Sequence, residues 1–283
     1  MFADGSRAEG RGKLDFHRWR PKSLVGSVIR MTKEPARSPV PKFSRTYQIL
    51  NRTLGQALHA YEMIADGDRL AVGLSGGKDS WALLWMLAER LPRVPVSYKL
   101  FPIHIDPGFG GETASAVETY CRSMGWSVHV EHTDYGVVAH SPVNRENPCF
   151  LCARLRRKRL FELAAQNGCN KLVLGHHKDD LIETFLMNLF YGGDIGTMQP
   201  RQPFFNGKLT VIRPLAYTDE NVLARFAREM RWPVTDNPCP SAGHSKRAEI
   251  KTMLQTLYKG NKKVRGNMFR AIRRTLNDCH RKC

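Results

Sequence analysis

Leu70-Ala71-Val72-Gly73-Leu74-Ser75-Gly76-Gly77-Lys78-Asp79-Ser80-Trp81-Ala82-Leu83-Leu84-Trp85-Met86-Leu87 is the stretch from which the fold follows. The apolar run Leu70 to Leu74 has the length and composition of a short buried strand. Trp81 to Leu87 has the length, and the Leu, Ala and Met content, of a helix. Between them Ser75 to Ser80 is a glycine-containing turn. In a strand–turn–helix unit the backbone N–H groups of the turn converge, and the helix dipole favours an anion there. Lys78 adds a mobile positive charge, so the segment reads as a phosphate-binding loop. It is not a Walker A loop, which sets four residues between its first glycine and its Gly-Lys pair; here there are none.

Outward from the loop the chain alternates. Upstream, Ile49, Leu50, Leu54, Ala57, Leu58 and Tyr61 recur at helical spacing, and Asp66-Gly67-Asp68 turns the chain into the strand. Downstream, residues 96–105 are strand-like, 112–124 helical, 128–130 a short strand and 152–165 a basic helix. Residues 172–175 then form a buried strand, 179–190 a helix closed by Tyr191-Gly192-Gly193, and 209–212 a last strand. Thr218 is placed to N-cap a helix running to about Met230, and two basic helices follow over 245–257 and 267–276. The alternation predicts a doubly wound, mainly parallel α/β sheet with helical N- and C-terminal extensions. Ligands of such sheets bind beyond the carboxyl ends of the strands, so Ser75, Asp106 and His176, each just after a predicted strand, should line one cleft. The expected organisation is a flexible basic arm over 1–41, with Met31 as a candidate alternative start, an α/β nucleotide-binding domain over 42–217 carrying a Cys-x-x-Cys insertion, and a basic helical region over 218–283.

Two further constellations carry chemistry. Gly175-His176-His177-Lys178-Asp179-Asp180 leaves a buried strand and enters a helix. Asp179 and Asp180 at that helix start are favoured by its dipole and placed to hold Mg²⁺ against phosphates; ordinary helix-start acids would look the same. Cys149-Phe150-Leu151-Cys152, with Cys239 far downstream, supplies three thiols. With His244 they would make a four-ligand zinc site. As three thiolates on a [4Fe–4S] cluster they would leave one iron open. A redox pair or buried free thiols are the remaining options.

The 283 residues carry a formal net charge of +18, with Lys and Arg crowded at both ends. This predicts a polyanionic partner, and nucleic acid is preferred because neither end forms a clear basic amphipathic membrane helix. No apolar stretch approaches the roughly 20 residues of a membrane helix, and the N-terminus lacks the apolar core of a secretory signal. Seven cysteines, an odd number, argue against an extracellular disulfide framework. The expected compartment is the cytoplasm.

The Ser75–Ser80 loop resembles the PP-loop of the ATP pyrophosphatases, which split ATP between its α- and β-phosphates. A wider set resembles the tRNA 2-thiocytidine synthetases, the cytidine-thiolating branch of those enzymes. That set comprises Thr53-Leu54-Gly55-Gln56-Ala57, Met63-Ile64-Ala65-Asp66-Gly67-Asp68-Arg69, Cys149-x-x-Cys152-x-Arg154-Leu155-Arg156-Arg157, Leu174 to Asp180, Leu189-Phe190-Tyr191-Gly192-Gly193 and Ile212-Arg213-Pro214-Leu215-Ala216-Tyr217. Coverage runs from about Tyr47 to Cys239. The resemblance implies a PP-loop ATPase, HUP-like fold. It implies an enzyme that adenylates C2 of a cytidine in a tRNA anticodon loop, at position 32, and replaces the oxygen with sulfur.

It further implies ATP and Mg²⁺ at Ser75, Gly76, Gly77, Lys78, Asp79 and Ser80, with Asp106, Gly175 and His176 beside them. Lys78, Asp179 and Asp180 would be catalytic, and Cys149, Cys152 and Cys239 would hold a [4Fe–4S] cluster. Expected partners are tRNA and a sulfur donor, a cysteine desulfurase or sulfide; a homodimer is admitted. The chain departs from the family at Cys239-Pro240-Ser241-Ala242, where a second Cys-x-x-Cys is common, in the basic segment Gly243 to Arg247, and in the loop after Asp106. Competing readings are a 2-thiouridine- or lysidine-forming relative and a zinc-stabilised RNA-binding module without activity.

Overall fold

The protein is described here by a computed structural model covering residues 44–235, 239–243 and 245–280. The basic arm over 1–41 and His244 lie outside the described residues. Ser44 opens α1 (Arg45–Ala60), its Oγ accepting the Tyr47 N–H at 3.0 Å. On the inner face of α1, Leu50, Leu54 and Ala57 are fully buried.

β1 (Asp68–Leu74) then runs into the loop and α2 (Lys78–Arg90). The chain continues through β2 (Tyr98–Asp106), α3 (Thr113–Ser123), β3 (His129–His132), α4 (Tyr135–Ala139), α5 (Pro148–Gln166), β4 (Lys171–Val173) and α6 (Lys178–Met187). After the hairpin β5 (Arg201–Phe204) and β6 (Leu209–Ile212) come α7 (Glu220–Met230), α8 (Lys246–Gly260) and α9 (Val264–His280).

The six strands are ordered β3-β2-β1-β4-β6-β5. All neighbours are parallel except β5, which pairs antiparallel with β6 at the edge. The side-chain period of two separates the faces of β1. Leu70, Val72 and Leu74 join the core under α1, α2 and α7, whereas Ala71 joins Phe101, Ile103, Leu172 and Val211 under Phe161 and Leu163 of α5. A third core binds α6 to α8 and α9 through Leu181, Ile182, Ile250, Leu254, Phe269 and Ile272. The order of the sheet reverses between β1 and β4. That switch point is where an open α/β sheet parts its loops into a crevice, and both the Ser75–Ser80 loop and Gly175–Asp180 end there.

Four local features differ from the sequence expectations. The edge strand β5 goes unanticipated because Arg-Gln-Pro-Phe lacks apolar alternation; Pro203 is tolerated only because the strand is an edge. Helix α5 begins at Pro148 rather than Cys152, with Asn147 Oδ1 accepting the Phe150 N–H at 3.2 Å, so both cysteines of the pair lie at its start. Helix α7 is capped at Asp219; Thr218 is instead fully buried with its Oγ1 2.8 Å from Thr53 Oγ1. Helix α6 stops at Met187 and passes into a π-helical turn, Asn188–Gly192, closed by left-handed Gly193.

Candidate active site: the loop cleft and its cysteine neighbour

The loop is held by its two serines. Ser80 Oγ donates to the Gly77 carbonyl at 2.9 Å and accepts the Ser75 N–H at 3.1 Å, while Ser75 Oγ accepts the Gly77 N–H at 3.3 Å. Gly76 sits at φ +81°, and a Cβ there would lie 2.6 Å from Thr113 Cγ2. Gly175 approaches so closely that its Cβ would meet the Asp79 carbonyl and the Ser80 nitrogen at 3.2 Å. These two glycines let the loop curl and let the opposite wall close against it. The result is a cleft of about 300 Å³ whose lining includes Ser75, Asp79, Ser80, Gly175, His176 and Asp180. Arg156 of α5 contributes a guanidinium from the side, and Ile103 and Ile105 of β2 form part of the apolar floor.

The electrostatics of the two walls differ. Burial works against the Lys78 charge, but Asp79 Oδ2 at 3.1 Å and Glu220 Oε1 at 3.2 Å outweigh it and raise its pKa. Burial raises the Asp79 pKa despite His177 and Lys78, and its Oδ1 is buried with no hydrogen-bond donor. An unpartnered buried carboxylate oxygen facing a phosphate-type loop suits a hard cation such as Mg²⁺. Asp180 behaves oppositely. Burial pushes its pKa up, but His177, the His177 N–H at 2.9 Å and the Arg247 guanidinium at 3.3 Å hold it below the ordinary carboxylate range. Desolvation, followed by the Arg213 guanidinium, drives His176 down to about 3, so it is neutral. Arg213 Nε donates to His176 Nδ1 at 3.3 Å and its Nη1 to the Gln199 carbonyl.

Of the residues singled out in the sequence, Ser75, Asp79, Ser80, Gly175, His176 and Asp180 converge on the cleft. Asp106, expected to line the cleft, is not among its lining residues; its Oδ2 is 3.1 Å from His132 Nδ1 and its Oδ1 accepts the Gly108 N–H at 3.0 Å. Asp179 points away. Its Oδ2 accepts the Glu220 N–H at 2.8 Å, its Oδ1 is 3.0 Å from Arg265 Nε, and it lines a separate smaller cleft under α8 and α9. Arg156, Arg213, Arg247 and Glu220 were missed. The first two lie inside quoted motifs, but nothing local in the sequence marks them as site residues.

The cysteines lie next to the cleft. Cys149 is exposed, Cys152 and Cys239 are half-buried, and none of the three forms a disulfide. Desolvation raises the Cys152 pKa. Among its neighbours Arg156 lowers it, whereas Cys239 and Cys149 raise it, which places the three sulfurs and Arg156 within electrostatic reach of one another. His140 approaches from α4: its Nδ1–H donates to the Gly136 carbonyl at 2.9 Å, and its Nε2 is 2.8 Å from Ser241 Oγ and 3.8 Å from Cys239 Sγ. Among the described residues no group of three or more His, Cys, Asp or Glu side chains is gathered for a single metal ion; the zinc alternative with His244 falls outside them. Cys121 and Cys169, by contrast, are buried in the core with thiols pushed up to about 12.

A strand–loop–helix phosphate cradle at the switch point of a parallel sheet defines a nucleotide-binding α/β protein, and the model of the PP-loop domain matches residues 46–256. A tRNA-cytidine(32) 2-sulfurtransferase of Citrifermentans bemidjiense is 42% identical over 228 residues, covering 80% of this chain and 89% of its own. One of Geobacter sulfurreducens is 41% identical over 229 residues with the same coverage. Among solved structures, the U34-tRNA thiolase NcsA from Methanococcus maripaludis, with its [4Fe-4S] cluster, superposes with a TM-score of 0.69 at 24% identity, covering 82% of this chain and 79% of its own. The chain belongs to the PP-loop family and, within it, to the branch of the tRNA-cytidine(32) 2-sulfurtransferases.

Proposed function

We propose that this chain is an ATP-dependent tRNA sulfurtransferase that converts a cytidine of the anticodon loop, at position 32, into 2-thiocytidine. The observation that carries the reading is the adjacency of two chemistries. Arg156 lines the nucleotide cleft and, one turn from Cys152 on α5, also acts on the three-cysteine site. Relatives about 42% identical over most of the chain carry that activity in their names.

ATP would lie with its phosphates on the Ser75–Ser80 backbone, and Asp79 and Asp180 would supply oxygens for Mg²⁺. The cytidine O2 attacks the α-phosphorus, the bond to the β-phosphate breaks, and pyrophosphate leaves. A sulfur nucleophile then adds to C2, the C2–O bond breaks, and AMP departs with the oxygen. Lys78 and the surrounding guanidinium groups stabilise charge that develops on the phosphates. Neutral His176, held by Arg213, packs the wall beside them without adding charge.

Cys149, Cys152 and Cys239 would hold a [4Fe–4S] cluster as three thiolate donors, and when bound it would supply an open iron position for the sulfur. The modified base must leave its stack to reach C2, which is inexpensive in a single-stranded loop. With tRNA as substrate, the working compartment is the cytoplasm.

The test is incubation of anaerobically purified protein with unmodified tRNA transcript, ATP and sulfide, followed by nucleoside mass spectrometry and metal analysis. Brown protein containing iron and acid-labile sulfide, ATP-dependent 2-thiocytidine and pyrophosphate release are expected. A colourless anaerobic preparation with stoichiometric zinc, or modification only of uridine, would overturn the reading.

A further inference from the structure

The turn that follows α6 has no part in the chemistry described so far. Within seven residues it exposes Leu189 (40%), Phe190 (54%), Tyr191 (52%) and Ile195 (64%). This exposure is built, not frayed. Asn188 is 1% exposed, and its Nδ2 donates to the Gly196 carbonyl at 2.8 Å, while the Asp194 N–H returns to the Asn188 carbonyl at 3.1 Å. The backbone from Asn188 to Gly192 widens into a π-helical turn, and Gly193 at φ +62° ends it. A π-turn gives up regular helical hydrogen bonding and recurs at functional sites. Here it presents the aromatic rings of two consecutive residues outward from a pinned base.

The surroundings say what would cover these rings. Lys246 Nζ stands 5.5 Å from the Tyr191 ring centroid, and the Tyr191 hydroxyl donates to Glu249 Oε2 at 3.3 Å. The next residue, Arg247, reaches the other way, to Asp180 at the cleft and to Glu183 and Thr184 of α6. Lys246 Nζ is also 3.1 Å from both carboxylate oxygens of Glu249, so the Lys246–Arg247 dipeptide between the cleft and the rings carries two cations, each already paired with an acid. Asn188 follows Asp180 by eight positions along the helix, about 12 Å at ~1.5 Å per residue, which is the span of roughly three stacked nucleotides at ~3.4 Å each. Aromatic rings bordered by cations on a strongly basic chain match the π-faces and phosphates of unpaired RNA.

We propose that Phe190 and Tyr191 form a stacking platform for unpaired nucleotides flanking the target base in the single-stranded loop of the substrate RNA. The proposal rests on the tRNA reading above. It assigns a role to the Leu189–Gly193 motif, which the chemistry of thiolation leaves unused.

The experiment compares full-length wild type with Phe190→Ala, Tyr191→Ala, and the ring-keeping variants Phe190→Tyr and Tyr191→Phe. It measures the Kd for an unmodified tRNA transcript across a salt series, ATP binding, and sedimentation. Each alanine should weaken tRNA binding about 5- to 150-fold with the slope of log K against log salt unchanged, because no charge is removed. The ring-keeping variants should stay near wild type, and ATP binding should not move. Wild-type tRNA affinity in both alanine variants overturns the platform and leaves the sulfurtransferase reading standing. Absence of tRNA binding by the wild type overturns both. A wild-type dimer that the alanines dissociate, with tRNA affinity unchanged, assigns the face to a second copy of the chain and also overturns the platform.

Discussion

Replacing Gly76 by alanine should disable the phosphate loop while leaving the fold nearly intact. Gly76 adopts φ +81°, and its added Cβ would lie 2.6 Å from Thr113 Cγ2 and 3.2 Å from Thr235 Oγ1. A left-handed backbone costs an L-residue roughly 1–2 kcal/mol. The methyl contact is about 1 Å shorter than the ~3.5–4.0 Å optimum for carbon pairs, and such overpacking costs roughly 1–3 kcal/mol. The sum, about 2–5 kcal/mol, exceeds what a six-residue turn held by serine hydrogen bonds can resist, so the loop should shift instead of the core unfolding.

The penalty should therefore appear as ATP affinity about 30- to 4,000-fold weaker, with Tm lowered by only a few degrees. Thr113→Ser removes the clashing methyl but keeps the hydroxyl that sits 2.9 Å from Thr235 Oγ1. The Gly76→Ala/Thr113→Ser double variant should recover about tenfold and no more, since the backbone penalty remains. Equilibrium binding of ATP or a non-hydrolysable analogue reads all four proteins. Wild-type affinity in Gly76→Ala, or no recovery in the double variant, would refute the assignment of strain to this contact.

Other outcomes follow from the same geometry. Lys78→Ala and Asp180→Asn should each lower thiolation by roughly 10²–10³ without changing iron content or circular dichroism, as read by single-turnover nucleoside analysis. Truncating the chain after Tyr258 would strip Phe269 and Ile272 from the core shared with α6, so the basic tail is better probed by charge removal. Converting exposed Lys262, Lys263, Arg270 and Arg274 to Gln should reduce the salt slope of tRNA binding by roughly 0.7 for each phosphate no longer neutralised, leaving ATP binding unchanged.

Burial, reinforced by Asp180, raises Glu183 to about 7 from an ordinary value of 4.5. The folded state then binds more protons than the unfolded state between those two values, so stability should fall as pH rises through that window. Glu183→Gln should raise Tm at pH 8 and flatten the pH dependence of thermal unfolding over the same range.

The layered architecture was legible because periodicity is a local property. β1 and α2 meet the loop where the apolar run and the helical composition place them, and Gly175–Asp180 leaves its strand as expected. Strand β5 was not legible, since four residues with an edge proline carry no alternation. Nor was the start of α5 at Pro148. There the signal is Asn147 followed by proline, a cap and a first-turn residue, and it places Cys149 and Cys152 at a helix start instead of in a preceding loop.

The fate of the two adjacent aspartates shows where a motif stops being informative. Consecutive helix residues project about 100° apart at 3.6 residues per turn, so Asp179 and Asp180 at the start of α6 cannot both face one cleft. Asp180 takes the cleft side, with His177 and Arg247. Asp179 turns to the other side, caps the first N–H of α7 and pairs with Arg265 of α9. It is thereby a structural hinge-pin between the nucleotide wall and the C-terminal helices, and Glu220 repeats the link by accepting both Lys78 of the loop and Lys251 of α8. Lys78 and Glu220 are 142 residues apart, and no spacing rule connects them; only the packing of α7 against α2 brings them together. Asp179→Asn should therefore loosen α9, with faster hydrogen exchange over 264–275 and a lower Tm, while ATP affinity changes less than in Asp180→Asn. Equal loss of ATP affinity in the two variants, with α9 protection intact, would return Asp179 to the cleft and refute the separation argued here.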